Sequence, residues 1–171
     1  LYAYNALGEM TRRNDYDIAW SETRPVLVTN RLSGATNTSA YDWSGSRVSV
    51  TDDTGTKAYK PNPLVDFSST GLMTFAVVAE GRRLGYVSAG GARLMHADSR
   101  GSMRVVSDEN GNVVQEFDYS TLGTANVIGA GLGQQHQFLG AEVSDETGLL
   151  HFESRVYDPT QMRFISPDRI V

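Results

Sequence analysis

The side chains of this 171-residue sequence that could carry chemistry are few and dispersed. Its three histidines, His96, His136 and His151, have no metal-ligand spacing. The carboxylate pairs Asp52-Asp53 and Asp145-Glu146 fall in predicted turns, where acidic side chains are commonly solvated or cap backbone amides. There is no cysteine, which excludes disulfides and thiolate metal sites. The sequence also lacks a nucleophile elbow, a P-loop and a Cys-His pair. We therefore predict neither metal nor cofactor, and expect a structural role.

One glycine-rich segment, residues 128–133, contains a G-x-G-x-G sequence. A dinucleotide site would need a helix opening directly after the glycines, and Gln134 to Gln137 does not begin an apolar helical face. A flexible loop is the better interpretation.

The composition is that of an ordinary globular protein, with 40% hydrophobic and 20% charged residues. The net charge of −5 gives no indication of binding to nucleic acid or to an anionic membrane. No apolar run approaches the roughly 20 residues of a membrane-spanning helix.

The clearest structural element is a hairpin between residues 96 and 119. Two β-rich segments, 104–107 and 112–119, flank Asn110-Gly111, a strong hairpin signal because both residues tolerate positive φ. Asp108 is placed to accept hydrogen bonds from amides two or three residues further on.

The same format recurs along the chain: an aromatic residue or Asp, a few polar residues, a Gly, and then a short apolar run. The clearest copies begin at Tyr4-Asn5 and Tyr41-Asp42, and looser copies begin at Tyr86, His96 and Tyr119. Each copy is a turn that needs glycine followed by a strand that needs one buried face. Hairpins of this kind must stack on their neighbours, so we predict an all-β fold, a spiral of stacked hairpins without a three-turn helix.

Several segments carry more specific expectations. Residues 30–40 are small and polar and are expected to form a loop. The prolines of Lys60-Pro61-Asn62-Pro63 should exclude a central strand. Met73 to Ala79 is the most continuously apolar run and should form the best-buried strand. Leu149 to Tyr157 alternates in character and should form one strand, ended by Asp158-Pro159.

These motifs resemble the YD-repeat, or Rhs-repeat, family. The segment from His96 to Arg104 is similar to that family's H-x-D-x-x-G-S-hydrophobic-R motif. The ordered series D-E-T-G-L from Asp145, R-x-Y-D-P from Arg155 and R-F-I-S-P-D from Arg163 is similar to its repeat-associated core region. The resemblance implies degenerate repeats over residues 1–85 and an incomplete core region over residues 86–171. The chain is expected to be a piece of a larger shell.

Asp168 is the one candidate catalytic residue, and the resemblance alone points to it. In the family, an aspartate in the S-P-D segment acts with a second aspartate, about two dozen residues later, in an aspartyl self-cleavage that frees a C-terminal toxin. Ser166-Pro167-Asp168 matches the first aspartate, although Arg169 stands where the family usually has Pro. The partner aspartate lies beyond Val171, so this chain alone is not expected to cleave itself. The alternative is that Asp168 caps a turn.

Two functions remain open. The resemblance implies a bacterial shell that encloses a toxin domain, is secreted or delivered at the cell surface, and has as partners the rest of that shell, the toxin and a delivery machinery. The alternative is an adhesion module in which Trp20, Tyr41 and Trp43 stack on sugars or contact a protein.

Overall fold

The computed structural model describes residues 1–22, 24–43, 46–52, 57–62, 64–67, 73–129, 136–144, 147–152 and 155–167. Within these residues the regular structure is β apart from one 3₁₀ turn, Phe138–Gly140, so the all-β prediction is confirmed. No helix among them is long and apolar enough to cross a membrane.

The described strands form two antiparallel sheets. The first fourteen strands, β1 to β14, pair strictly in sequence order in a large sheet, so that every connection is a hairpin. They are β1 (Tyr2–Tyr4), β2 (Met10–Arg13), β3 (Tyr16–Ser21), β4 (Arg24–Asn30), β5 (Thr36–Tyr41), β6 (Arg47–Asp52), β7 (Lys57–Asn62), β8 (Val65–Phe67), β9 (Met73–Ala79), β10 (Arg82–Ser88), β11 (Gly91–Ala97), β12 (Met103–Asp108), β13 (Val113–Tyr119) and β14 (Ala125–Gly129). The second sheet comprises β15 (Glu142–Val143), β16 (Leu150–His151), β17 (Val156–Asp158) and β18 (Arg163–Phe164), again in order.

One five-residue turn is repeated along the large sheet. The N–H of its first residue donates to the carbonyl of the fifth at 2.9–3.0 Å, and a side-chain oxygen of the first residue accepts the N–H of the fifth. The five first residues are Asn5, Asp42, Asp98, Asp108 and Ser120. A short polar side chain at this place supplies the acceptor that the turn backbone needs. The repeat seen in the sequence is therefore one turn geometry used five times.

The fourth residue of the turn explains the repeated glycine. Gly8, Gly101, Gly111 and Gly123 all have positive φ, between 80° and 94°. At the central hairpin, Asn110 does not share this conformation, so the Asn-Gly pair does not form the turn with two positive-φ residues that its sequence suggested. Instead the Gly111 N–H donates to the Asp108 carbonyl, and the Asp108 N–H donates to the Asn112 carbonyl. This arrangement is a three-residue loop closed by a glycine bulge.

Two apolar clusters are buried in the part of the chain that the structure describes. One lies under strands β11 to β13 and contains Met95, Met103, Val106 and Phe117. The other joins the two sheets and is described with the candidate site below.

Two further predictions were wrong, the first in part. Residues 31–35 of the predicted loop 30–40 connect two strands, but residues 36–40 belong to β5, because β4 and β6 supply hydrogen bonds to its backbone on both sides. Pro61 lies inside β7, which pairs with β6 and β8. The pairing of β7 with β8 is irregular between Tyr59 and Asn62, and such irregularities are where a sheet tolerates proline.

Two strand predictions were partly wrong. Met73–Ala79 is a strand but is not the best buried, since Phe75 is 49% and Val77 45% exposed. Residues 149–157 do not form a single strand. They divide into β16 and β17, which pair with each other across a turn in which the Phe152 N–H donates to the Arg155 carbonyl. Of the glycine-rich segment 128–133, residues 128 and 129 end β14 and residues 130–133 lie outside the described residues.

Candidate functional site

The second sheet packs on the first strands of the large sheet, and this contact, here called the seam, carries the segment that leads to Asp168. Its apolar core joins Met10 and Ile18 to Leu149, Val156 and Ile165, each no more than 4% exposed. The Ile165 N–H donates to the Val156 carbonyl at 2.9 Å, and the Met10 N–H donates to the Ile165 carbonyl at 3.0 Å. Residue 165 is thus held between the two sheets by both its backbone groups.

A buried ion pair crosses the seam. Arg13 Nε donates to Asp158 Oδ2 at 2.7 Å, and Arg13 Nη2 donates to Asp158 Oδ1 at 3.1 Å. The other guanidinium bonds go to the Thr147 carbonyl at 2.6 Å and to Thr160 Oγ1 at 2.9 Å. The Asp158 side chain is fully buried and that of Arg13 is 10% exposed. A bidentate pair in which every guanidinium nitrogen has a hydrogen-bond partner is the form in which buried charges are tolerated in proteins.

The protonation of Asp158 depends on this pair. Burial alone would raise the pKa of Asp158, because it disfavours the charged form. The hydrogen bonds and positive charge of Arg13, with bonds from the Thr160 amide and the Gln161 side chain, outweigh burial and lower the pKa below its ordinary value. Asp158 is therefore ionised wherever the seam is intact near neutral pH.

A second buried pair joins the opposite end of the second sheet to the large sheet. Arg47 Nη2 in β6 donates to Glu142 Oε1 in β15 at 2.8 Å, and the two side chains are 7% and 13% exposed. The second sheet is thus held at β15 and at β17 by charge pairs that are largely removed from water.

The structure brings the segment before Asp168 to the first hairpin. Ser166 is 6% exposed, and its Oγ accepts the Val156 N–H at 3.1 Å. Pro167 is the last described residue, so Asp168 itself lies outside the described residues, as do Asp145-Glu146. The strand preceding Asp168 is therefore located, and the catalytic assignment of Asp168 stays a prediction.

Sequence reasoning missed the role of Arg13 and assigned Asp158 only to the end of a strand. The sole sequence signal was the Tyr157-Asp158-Pro159 motif, which says nothing about a partner. Arg13 stands in an ordinary repeat strand, and only the packing of the second sheet shows that its charge is buried.

The histidines do not assemble a site. His96 Nε2 lies 2.9 Å from Ser107 Oγ on the large sheet. His136 and His151 are the two cross-strand neighbours of Glu142. Among the described residues no group of three His, Asp or Glu side chains has a geometry that could hold a metal ion.

The three aromatic residues considered for adhesion are also separated in role. Trp20 packs on the seam core and donates from Nε1 to the Met10 carbonyl, and the Tyr41 hydroxyl donates to the Pro25 carbonyl. Trp43 is 96% exposed at a turn. Two of the three therefore have structural roles, and the three do not combine into one stacking surface.

Comparison with known proteins places these features in context. No family model matches the chain. It is 27% identical over 181 residues to the double-stranded DNA deaminase toxin A of Burkholderia cenocepacia, covering 99% of this chain and 12% of that protein. It is 21% identical over 194 residues to the tRNA3(Ser)-specific nuclease WapA of Bacillus spizizenii, covering 97% of this chain and 8% of that protein.

The structural comparison is more extensive. A crystal structure of TcdB2-TccC3 matches with a TM-score of 0.78 and 18% identity over 95% of this chain and 10% of that one. The chain has the fold of one section of TcdB2-TccC3. The Photorhabdus luminescens Tc holotoxin pore, with an Asp-to-Ala substitution in TccC3, matches with a TM-score of 0.79 and 19% identity, over 95% of this chain and 9% of that one. This chain spans about a tenth of the length of each of these four proteins.

Proposed function

We propose that this chain is a section of a secreted bacterial toxin shell that encloses a C-terminal toxin segment. The observation that carries the proposal is the contrast between its two curated relatives. One is a DNA deaminase toxin and the other a tRNA nuclease, yet each matches nearly the whole of this chain. Deamination and RNA cleavage are different reactions. A segment common to both proteins is better explained as part of a carrier than as either catalyst.

The fold supports the same role. Because the hairpins pair in sequence order, further hairpins can be added at the edge of the sheet, and such a sheet can form the wall of a large container. The predicted division at residues 85 and 86 belongs to this proposal: the earlier repeats extend the wall, and the core region ends it with the second sheet.

We further propose that Asp168 takes part in self-cleavage of the full-length protein, with a second carboxyl group from beyond this chain. An ionised carboxylate would take a proton from water as the water oxygen bonds to the amide carbon. The protonated carboxyl would then give its proton to the amide nitrogen as the C–N bond breaks, which leaves a new carboxylate and a new amine. The seam supports this assignment because it holds Ile165 and Ser166 by backbone and hydroxyl bonds just before Asp168.

The test is Asp168→Asn in the full-length protein, with gel analysis of the released C-terminal piece. An amide cannot cycle between acid and base, so we expect cleavage to slow by orders of magnitude. A matched control is Asp108→Asn, which changes another turn aspartate on the exposed hairpin and should leave cleavage unaltered. If Asp168→Asn is cleaved at the normal rate, the catalytic assignment is wrong and the turn-capping alternative is favoured.

A further inference from the structure

The last strand of the large sheet, β14, has a partner strand on one side. It pairs with β13 through five consecutive residue pairs, from Tyr119–Ala125 to Gln115–Gly129, without a register shift. None of the other strands in the described part of the chain pairs with its outer edge. An open edge of this kind presents main-chain donors and acceptors to which a further strand can bind.

The composition of β14 does not protect this edge. Natural sheets commonly protect their edges with charged side chains, proline or bulges. The sequence of β14 is Ala-Asn-Val-Ile-Gly, and residues 119–135 contain no Asp, Glu, Lys or Arg. Val127 is 42% and Ile128 56% exposed. The edge is therefore regular, uncharged and partly apolar, which favours the binding of another strand.

The geometry of the hairpin decides which amides of β14 face the outer edge. The Ser120 N–H donates to the Thr124 carbonyl at 2.9 Å, so these two residues form a hydrogen-bonded pair. Hydrogen-bonded and non-hydrogen-bonded pairs alternate along an antiparallel ladder. Every second N–H after Thr124 therefore points towards β13. The N–H groups that point to the outer edge are those of Ala125, Val127 and Gly129.

The second sheet brings the later part of the chain close to this strand. The Tyr157 hydroxyl in β17 donates to the carbonyl of Leu122, in the turn between β13 and β14, at 3.2 Å. The Phe164 ring in β18 lies 5.3 Å from the Tyr157 ring. Leu122 precedes Ile128 by a stretch of about 20 Å along a strand. About ten extended residues after Phe164 are therefore enough to reach the edge of β14.

We propose that the outer edge of β14 binds the first part of the enclosed C-terminal segment, which adds to the sheet as a further strand. This inference rests on the proposed function. In strand addition, main-chain hydrogen bonds supply the affinity, and they do not depend on the side chains of the added strand. One curated relative is a DNA deaminase toxin and the other a tRNA nuclease. An edge that binds backbone suits a shell whose contents differ between relatives.

Amide hydrogen exchange of the full-length protein, resolved to single residues, tests the pairing. On an open edge the outward amides of Ala125, Val127 and Gly129 exchange fast, and the inward amides of Asn126 and Ile128 are protected by β13. With a strand bound, both sets are protected. We expect the outward amides to exchange within about tenfold of the inward ones. A larger difference between the two sets would overturn the proposal.

Photo-crosslinking identifies the bound strand. With a photoreactive phenylalanine analogue in place of Ile128, we expect the full-length protein to form a crosslink to a peptide that follows Val171. The control places the analogue at Val113, which is 55% exposed but lies in β13, a strand with partners on both sides. A crosslink from position 128 to a peptide that precedes Leu1, to a second copy of the protein, or to nothing would refute the proposal. An equal yield from position 113 would also refute it, because it would indicate contact with the sheet face.

Val127→Pro is the most specific variant. It removes one outward N–H and keeps the pairing with β13, since edge strands tolerate proline where the N–H faces away from the sheet. Val127→Ala is its control, because it shortens the side chain and keeps the N–H. We expect the Ala125 and Gly129 amides to exchange at least about tenfold faster in Val127→Pro than in Val127→Ala. A smaller difference counts against the proposal. Should Val127→Pro not fold, the exchange pattern of the wild-type protein decides.

Protease protection of a label at the C-terminal end separates this inference from the proposed function. If the label is protected but the outward amides of β14 exchange fast, or the crosslink joins β14 to the shell itself, the inference is refuted and the proposed function stands. If the label is not protected, both fail.

Discussion

Removal of Arg13 is the sharpest perturbation of the seam. Arg13→Met keeps much of the aliphatic volume but deletes four hydrogen bonds. It leaves Asp158 fully buried and charged without a partner, and the Thr147 carbonyl without its donor. Breaking a buried pair in this way costs about 3–5 kcal/mol. For a chain of this length each kcal/mol lowers the melting temperature by about 2–4 °C, so the expected loss is about 6–20 °C.

Arg12→Met is the control next to it in the sequence. Arg12 pairs with Asp17 at 2.8 Å, but the side chains are 32% and 43% exposed, and exposed pairs contribute about 0–1 kcal/mol. Thermal unfolding followed by circular dichroism should therefore separate the two variants clearly. Equal losses would refute the inference that the Arg13 pair is desolvated. A double variant, Arg13→Met with Asp158→Leu, should recover part of the loss, because it leaves no unpaired charge.

Four further predictions follow from the described contacts. The folded-state pKa of Asp158 lies below its unfolded value of about 3.9, so its contribution to stability is present above about pH 4. That contribution is lost as the pH falls through the lower folded pKa. The Asp158→Asn variant has no such group to protonate and should therefore lose less stability than the wild type over that acid range. Gly111→Val should lower the free energy of unfolding by more than about 1 kcal/mol in a denaturant titration, because the backbone φ at this residue is +84°. The cost comes from backbone strain and not from a clash, since no atom lies within 4 Å of the added Cβ. An unchanged midpoint would contradict the turn assignment. Gly123→Ala should lose more stability than Gly111→Ala, because a Cβ at 123 would lie 2.6 Å from the Phe138 ring; equal losses would mean that Phe138 does not pack there. Far-ultraviolet circular dichroism should show mainly strand, and a helix content above a third would contradict the fold.

The local features of the fold could be predicted from the sequence. The central hairpin, the repeated turn and the strand nature of residues 73–79 depend on glycine conformation, on short-range hydrogen bonds and on β-branched composition. These are properties of neighbouring residues. Even here, the geometry of the Asn110-Gly111 turn differed, because the loop between Asp108 and Asn112 has three residues and only Gly111 takes positive φ.

The features that depend on distant partners could not be predicted. Arg13 and Asp158 are 145 residues apart, and nothing in either local sequence indicates the other. Phe75 and Val77 are apolar, yet whether such a strand is buried depends on what covers its face. Residues 36–41 form no apolar run, and they are a strand because both neighbouring strands supply hydrogen bonds.

The central claim is that this chain is part of a shell that encloses a C-terminal segment, and protease protection of the full-length protein tests it most directly. The Asp168→Asn protein, labelled at its C-terminal end, would be treated with proteinase K before and after the shell is opened by denaturant. The shell account predicts that the labelled segment survives in the native protein and is digested only after opening. If the label of the native protein, with residues 1–167 folded, were digested as fast as that of the denaturant-opened protein, the shell account would be contradicted.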